Sequence, residues 1–163
     1  MNINIKNNTT FTKWFLVNAV VLTMFVLAEQ KGAVTTIIKN DLSHLSIVIM
    51  ILYVLVSGVV GKFCFLADKL DENTLRSKKE KLLKRADVGW FAAEHFFSLG
   101  LLGTILGLTI ATQTSLTDTG TISEVVSGLK MGLNTAFYTT ICGIVFSIPL
   151  QVQLMILKYK LEE

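Results

Sequence analysis

Two stretches of this chain are apolar over the length of a membrane span and are also striped with small residues, which restricts the folds open to them. They are SLGLLGTILGLTIA at residues 98–111 and GLNTAFYTTICGIVFSIP at 132–149. On a helix, positions three, four and seven apart share a face. Gly100, Thr104, Gly107 and Ala111 therefore align, with Gly103 beside them. In the second stretch Gly128, Gly132, Ala136 and Thr140 align, followed by Gly143 and Ser147. Helices in lipid associate through close approach of small residues, so packing alone accounts for the stripe of Gly100, Gly103, Gly107, Gly132, Ala136 and Gly143. A threonine can return its hydroxyl to its own helix. Thr104 and Thr140, one on each small-residue face and with Thr139 adjacent, are nevertheless the candidates for a shared polar track.

With 52% hydrophobic residues, a single proline and a mean hydropathy of +0.58, the chain is an integral membrane protein. The fold expected is all-α and polytopic. It forms one membrane domain over 1–163, with four spans at about 11–28, 44–67, 92–113 and 130–157, each long enough for a core of roughly 30 Å. The last two are long and line the polar track. Residues 11–28 carry an interfacial Trp14 and are read as a retained span, although Val26-Leu27-Ala28 resembles a cleavage site. The first ten residues are expected to fray.

Residues 29–43 read as a short polar connection with a helix start near Asn40 or Asp41, and His44 marks a membrane boundary. At the far end of the second span, Lys62 can snorkel to an interface. The charged linker 68–91 has weak amphipathy from Leu70, Leu75, Leu82 and Leu83, which suggests a short helix near the membrane surface. Glu94 and His95, at the entrance of the third span, are candidates for an inner mouth. TSLTDTG at 114–120 reads as a turn. Thr121 and Glu124 form a capping box, from which one helix runs to about Lys158. Pro149 removes a backbone bond to Val145 and is expected to bend that helix.

The flanks of the four spans divide the cations twelve to three, with the linker, the N-terminal segment and the tail on the richer side. The positive-inside rule places both termini and the linker in the cytoplasm. This topological use of Lys and Arg accounts for the net charge of +3, and no basic and aromatic pattern points to nucleic acid. Cys64 and Cys142 lie in apolar runs without ligand spacing, so neither a metal nor a cofactor is expected.

Residues 96–116 and 132–157 contain no Asp, Glu, Lys or Arg. A threonine hydroxyl cannot take up and release protons near neutral pH, whereas a buried carboxylate can. Alone, the chain is an incomplete proton path.

The ordered pair of motifs, LGLLGTILGL and then a helix carrying Gly, Ala, Thr-Thr, Gly and Ile-Pro, resembles the MotA/TolQ/ExbB family over about residues 96–155. The resemblance implies that Thr104 and Thr140 are pore threonines, with Gly143 and Pro149 following as in the TolQ and ExbB branch. It also implies a homo-oligomeric ring, by analogy a pentamer, around two single-span partners of the MotB/TolR/ExbD type, each with a membrane-embedded Asp. The setting implied is the bacterial cytoplasmic (inner) membrane, and the transported ion H⁺, or Na⁺. Two departures stand out. The large cytoplasmic domain of flagellar stators is reduced to the linker 68–91, and Thr135 stands where the ExbB branch has a Glu near its second threonine.

The other classes considered are a small pore-forming, holin-like protein and a structural scaffold whose glycine seams only hold helices together. An enzyme is not expected, because no HExxH motif, phosphate loop or nucleophile elbow occurs.

Overall fold

Apolar helices in the expected order emerge from these runs. The computed structural model describes residues 9–70, 76–115 and 121–162, which contain five helices and no strand. They are α1 (Thr9–Gln30), α2 (Ala33–Asn40), α3 (Leu45–Asp68), α4 (Arg76–Ser115) and α5 (Ile122–Glu162). Four of them, all except α2, are long and apolar enough to cross a membrane. The chain is a multi-pass membrane protein whose four expected spans lie within α1, α3, α4 and α5. Of the ten residues expected to fray, Thr9 and Thr10 already belong to α1, and residues 1–8, like Leu75 of the linker and the centre of the 114–120 turn, lie outside the described residues.

Two elements differ from expectation. The connection after α1 is not simply a polar loop, because 33–40 forms an amphipathic helix. Gly32 turns the chain there with φ 69°, and the Glu29 carboxylate accepts from the backbone amide and hydroxyl of Thr35 at 3.1 and 2.6 Å. The basic segment of the linker does not lie as a separate surface helix. From Arg76 it is the start of α4, which continues through the apolar segment to Ser115. At 1.5 Å per residue, the 40 residues of α4 and the 41 of α5 each give roughly 60 Å, about twice the hydrocarbon thickness. Both helices therefore project well into water.

The beginning of α5 is the expected capping box. Thr121 donates its amide to Glu124 Oε2 at 2.8 Å, and the Glu124 amide returns to Thr121 Oγ1 at 3.4 Å. The helix then runs unbroken through Pro149.

The two long helices form an antiparallel hairpin. Lys158 meets Asp87 at 2.6 Å, and Leu154 packs over Gly89, so the C-terminus of α5 lies beside the N-terminus of α4. One face of the hairpin receives α3. The core between them comprises Ile49, Tyr53, Val60, Cys64, Phe96, Cys142, Phe146, Leu150 and Leu154. Against both α3 and α5 lies α1, anchored where Trp14 sits on Gly61 and donates its indole N–H to the Ser57 carbonyl at 3.1 Å. The start of α1 meets the end of α3, because Asp68 accepts the amides of Thr10 and Phe11. These contacts bring the start of α1 and the end of α5 to the same end of the bundle. Large apolar side chains such as Phe15, Leu22 and Val54 remain exposed, as positions facing lipid do.

Candidate functional site

The small residues of α4 and α5 mesh with each other inside one chain. A Cβ on Gly107 would stand 2.5 Å from the Ala136 amide nitrogen and 2.6 Å from the Gly132 carbonyl. One on Gly143 would stand 2.7 Å from the Phe96 carbonyl and 3.0 Å from Gly100 Cα. One on Gly103 would run into the Thr139 side chain, and one on Gly132 would run into Ala111. The backbones approach so closely because these positions carry hydrogen atoms or single methyl groups.

At the edge of this seam Thr104 and Thr140 meet, their hydroxyl oxygens 2.5 Å apart. Each has a second acceptor on the backbone. Thr104 Oγ1 is 3.2 Å from the Gly100 carbonyl, and Thr140 Oγ1 is 3.0 Å from that of Ala136. With two protons for the pair, one bridges the oxygens and the other is donated to a carbonyl, in either of two senses. In both arrangements the bridging hydroxyl's own oxygen keeps lone pairs for an external donor.

Both threonines are half-buried, on the side of the hairpin away from α3, where Phe97, Leu101, Leu108, Phe137, Ile144 and Ile148 stay exposed. Thr139 is placed differently. It is fully buried beneath Gly103 and donates within α5 to the carbonyls of Thr135 and Ala136, at 2.9 and 3.1 Å.

Toward the shared end of the termini, a groove of about 420 Å³ continues along the same side as the threonine pair. Glu94, Phe97, Ile144, Ser147, Ile148 and Gln151 line it. Ser147 crosses the seam, donating to the Ala93 carbonyl at 2.8 Å, and Gln151 donates to Ser147 Oγ at 3.1 Å. Glu94 is exposed and accepts from the Trp90 indole at 2.8 Å. His95, one position on, is turned about 100° around α4. It stacks on Phe91 at 3.8 Å between ring centroids and engages the Phe91 carbonyl through Nδ1. The structure thus brings Glu94, but not His95, onto the side of the threonine pair. Among the described residues no three His, Cys, Asp or Glu converge to hold a metal.

Four polar residues that carry the architecture were not singled out by motif or stripe. Asn18, Tyr53, Ser57 and Gln153 form one network between α1, α3 and α5. Ser57 Oγ lies 2.9 Å from both Asn18 Oδ1 and Gln153 Oε1, and Gln153 Nε2 donates to Tyr53 Oη at 3.2 Å. At the opposite end of the bundle, Asp41 accepts from the Ser43 hydroxyl and amide and from the Ser46 amide, fastening the first turn of α3. Thr135 accepts the Leu42 amide at 3.2 Å, so this turn is pinned to α5. The signal that could have found them is simple: a lone amide or acid inside an apolar run seldom lacks a buried partner.

Residues 65–163 match the model of the MotA/TolQ/ExbB proton channel family. That range holds the last turn of α3 and all of α4 and α5, including both threonines. No curated protein and no solved structure matches the chain.

Proposed function

This chain belongs to the MotA/TolQ/ExbB proton channel family, and from that premise we propose that it is the ring-forming subunit of an energy-transducing complex driven by an ion gradient. The observation that carries the reading is the Thr104 and Thr140 hydroxyl pair, facing outward from a hairpin whose apolar length contains no Asp, Glu, Lys or Arg. Several copies, by family analogy five, place these pairs around a central space. Two single-span partners of the MotB/TolR/ExbD type occupy that space, each contributing one carboxyl group at the depth of the threonines.

The partner's acid carries the ion, and this chain supplies the acceptors. A protonated carboxyl donates its hydrogen bond to the threonine pair, and a carboxylate receives one when the hydroxyl that had donated to a backbone carbonyl turns its proton to the acid instead. The hydroxyls therefore stabilise both states of an acid that has left water, while the apolar flanks exclude competing solvent. Thr139 is left out of this route because its hydroxyl is committed to its own helix. Glu94 stands at the cytoplasmic approach. The membrane potential supplies about 2.3 kcal/mol per charge per 100 mV, enough to bias partner and ring to turn relative to one another. We place the complex in the bacterial inner membrane, with both termini cytoplasmic and H⁺ as the ion.

The test is proton flux in vesicles reconstituted with the chain and the Asp-bearing partner encoded beside it. Thr104→Val with Thr140→Val should abolish partner-dependent flux, and Thr→Ser at both should preserve it. Flux through this chain alone, or flux that survives the double valine variant, would sink the reading.

A further inference from the structure

Across the α4–α5 seam from the threonine pair, α3 and α4 diverge to leave a groove of about 320 Å³. Leu55, Val56, Val59, Val60 and Phe63 line it from α3, and Arg85, Val88, Gly89 and Ala92 from α4. Every lining residue except Arg85 is apolar, and Arg85 sits at the end toward the chain termini. Its guanidinium lies 5.8 Å from the centre of the Phe63 ring. In the α4 sequence, Lys78, Lys81, Arg85, Val88 and Ala92 recur at steps of three and four, so they share one helix face. That face is cationic for two turns and then apolar. Lys62, exposed beside Phe63, adds a further charge at the level of the boundary.

Three of the described carboxylates at this end are already engaged. Asp87 pairs with Lys158, Glu80 with Lys84, and Asp68 caps α1. Among the described residues, Arg85, Lys81, Lys78 and Lys62 have no acidic partner within ion-pair distance. A row of unneutralised cations standing directly above a carbon-lined groove, in a protein embedded in lipid, matches a molecule with an anionic head and a hydrocarbon tail.

We propose that the α3–α4 groove is a binding site for an anionic membrane phospholipid. One acyl chain lies along Val56, Val59, Val88 and Ala92, and the phosphate is held by Arg85, with Lys81 and Lys78 beyond it. Arginine suits the head position because its planar donors take a phosphate two-pronged, and basic clefts between spans at the membrane boundary favour such headgroups. The site lies on the far side of the seam from the ion route, so it does not depend on that assignment.

The experiment uses the whole complex, exchanged into nanodiscs of equal phosphatidylglycerol and phosphatidylcholine, then extracted and weighed by native mass spectrometry with its bound lipid. The unaltered chain should retain phosphatidylglycerol in preference. Arg85→Gln should lower that preference about fivefold, the weight of one cation near an anionic surface, and Ala92→Phe should fill the groove and abolish retention. Where Ala92→Phe does not assemble, a phosphatidylglycerol bearing a diazirine in its acyl chain is irradiated with the unaltered complex. Labelled peptides should then cluster at 55–63 and 85–92 rather than along α1. The proposal is overturned by equal retention of the two lipids, by a preference that survives Arg85→Gln, by uniform labelling, or by crosslinks showing a second copy of the chain seated in the groove.

Discussion

The carboxylate of Asp68, at the last position of α3, accepts the backbone amide of Phe11 at 2.8 Å and that of Thr10 at 3.2 Å. The first turn of a helix has amides without intrahelical partners, and here another helix supplies the acceptor. Asp68 is 5% exposed, so water cannot take its place. Asp68→Ala should destabilise the protein by about 1–2 kcal/mol. Hydrogen exchange at residues 10–13 should accelerate, with little change in α5. Asp68→Asn, which keeps one carbonyl acceptor, should fall between the two. Unchanged exchange at the start of α1 in Asp68→Ala would count against this role.

Two glycines in apolar helices should respond in opposite ways to the same methyl group. At Gly107 a Cβ would be driven against the backbone of Ala136 and Gly132, which can yield only if α4 and α5 separate. At Gly58 nothing lies within 4 Å. Gly107→Ala should lower thermal stability in detergent by about 1–3 kcal/mol through overpacking. Gly58→Ala should be neutral, or stabilising by up to about 1 kcal/mol, because it removes backbone freedom from a helix interior. Equal melting temperatures for the two variants would show that the seam is looser than the contact distances require.

Asn18, Tyr53, Ser57 and Gln153 share hydrogen bonds across three helices, so removing one member should cost more than removing a matched pair. Gln153 is fully buried, and Gln153→Leu leaves the Ser57 and Tyr53 hydroxyls short of a partner. The expected loss is about 1–3 kcal/mol. Adding Ser57→Ala to Gln153→Leu should recover part of it, giving a double-mutant cycle with a measurable coupling. Strict additivity would mean that the hydroxyl and amide act independently.

These cases mark what the sequence discloses. The α4–α5 hairpin was legible because its determinants are local: steps of three and four from Gly100 to Ala111, a capping box four residues long, and apolar runs of membrane length. The stripe could not say whether its small residues pack within a chain or between chains, since both use the same residues. The partners of Asp68 and of Gln153 lie 57, 96 and 100 residues away, and no periodicity encodes such a pairing. The α2 helix was hidden because eight residues of mixed polarity are too few for a period to emerge. Thr139 and Thr140 look equivalent as a dipeptide, but 100° of helical rotation puts one under Gly103 and the other at the edge of the seam.

That rotation makes the sharpest prediction about the site. In Thr140→Val the isosteric methyl replaces a hydroxyl that faces Thr104, yet Thr104 keeps the Gly100 carbonyl as acceptor at 3.2 Å. The stability cost should therefore be small, about 0.6 kcal/mol, as for single hydrogen bonds between membrane helices, while partner-dependent proton flux falls steeply. Thr139→Val removes a hydroxyl bonded only to carbonyls of its own helix, at a position already shaped to a branched side chain against Gly103. It should leave both stability and flux near those of the unaltered chain. Thr139→Leu, too long for that space, should unseat the hairpin and lower both together. The two valine variants thus differ in flux at nearly equal stability, a separation that helix packing alone would not produce. If Thr139→Val and Thr140→Val reduced flux alike, the route would have to run through the seam rather than along its open side.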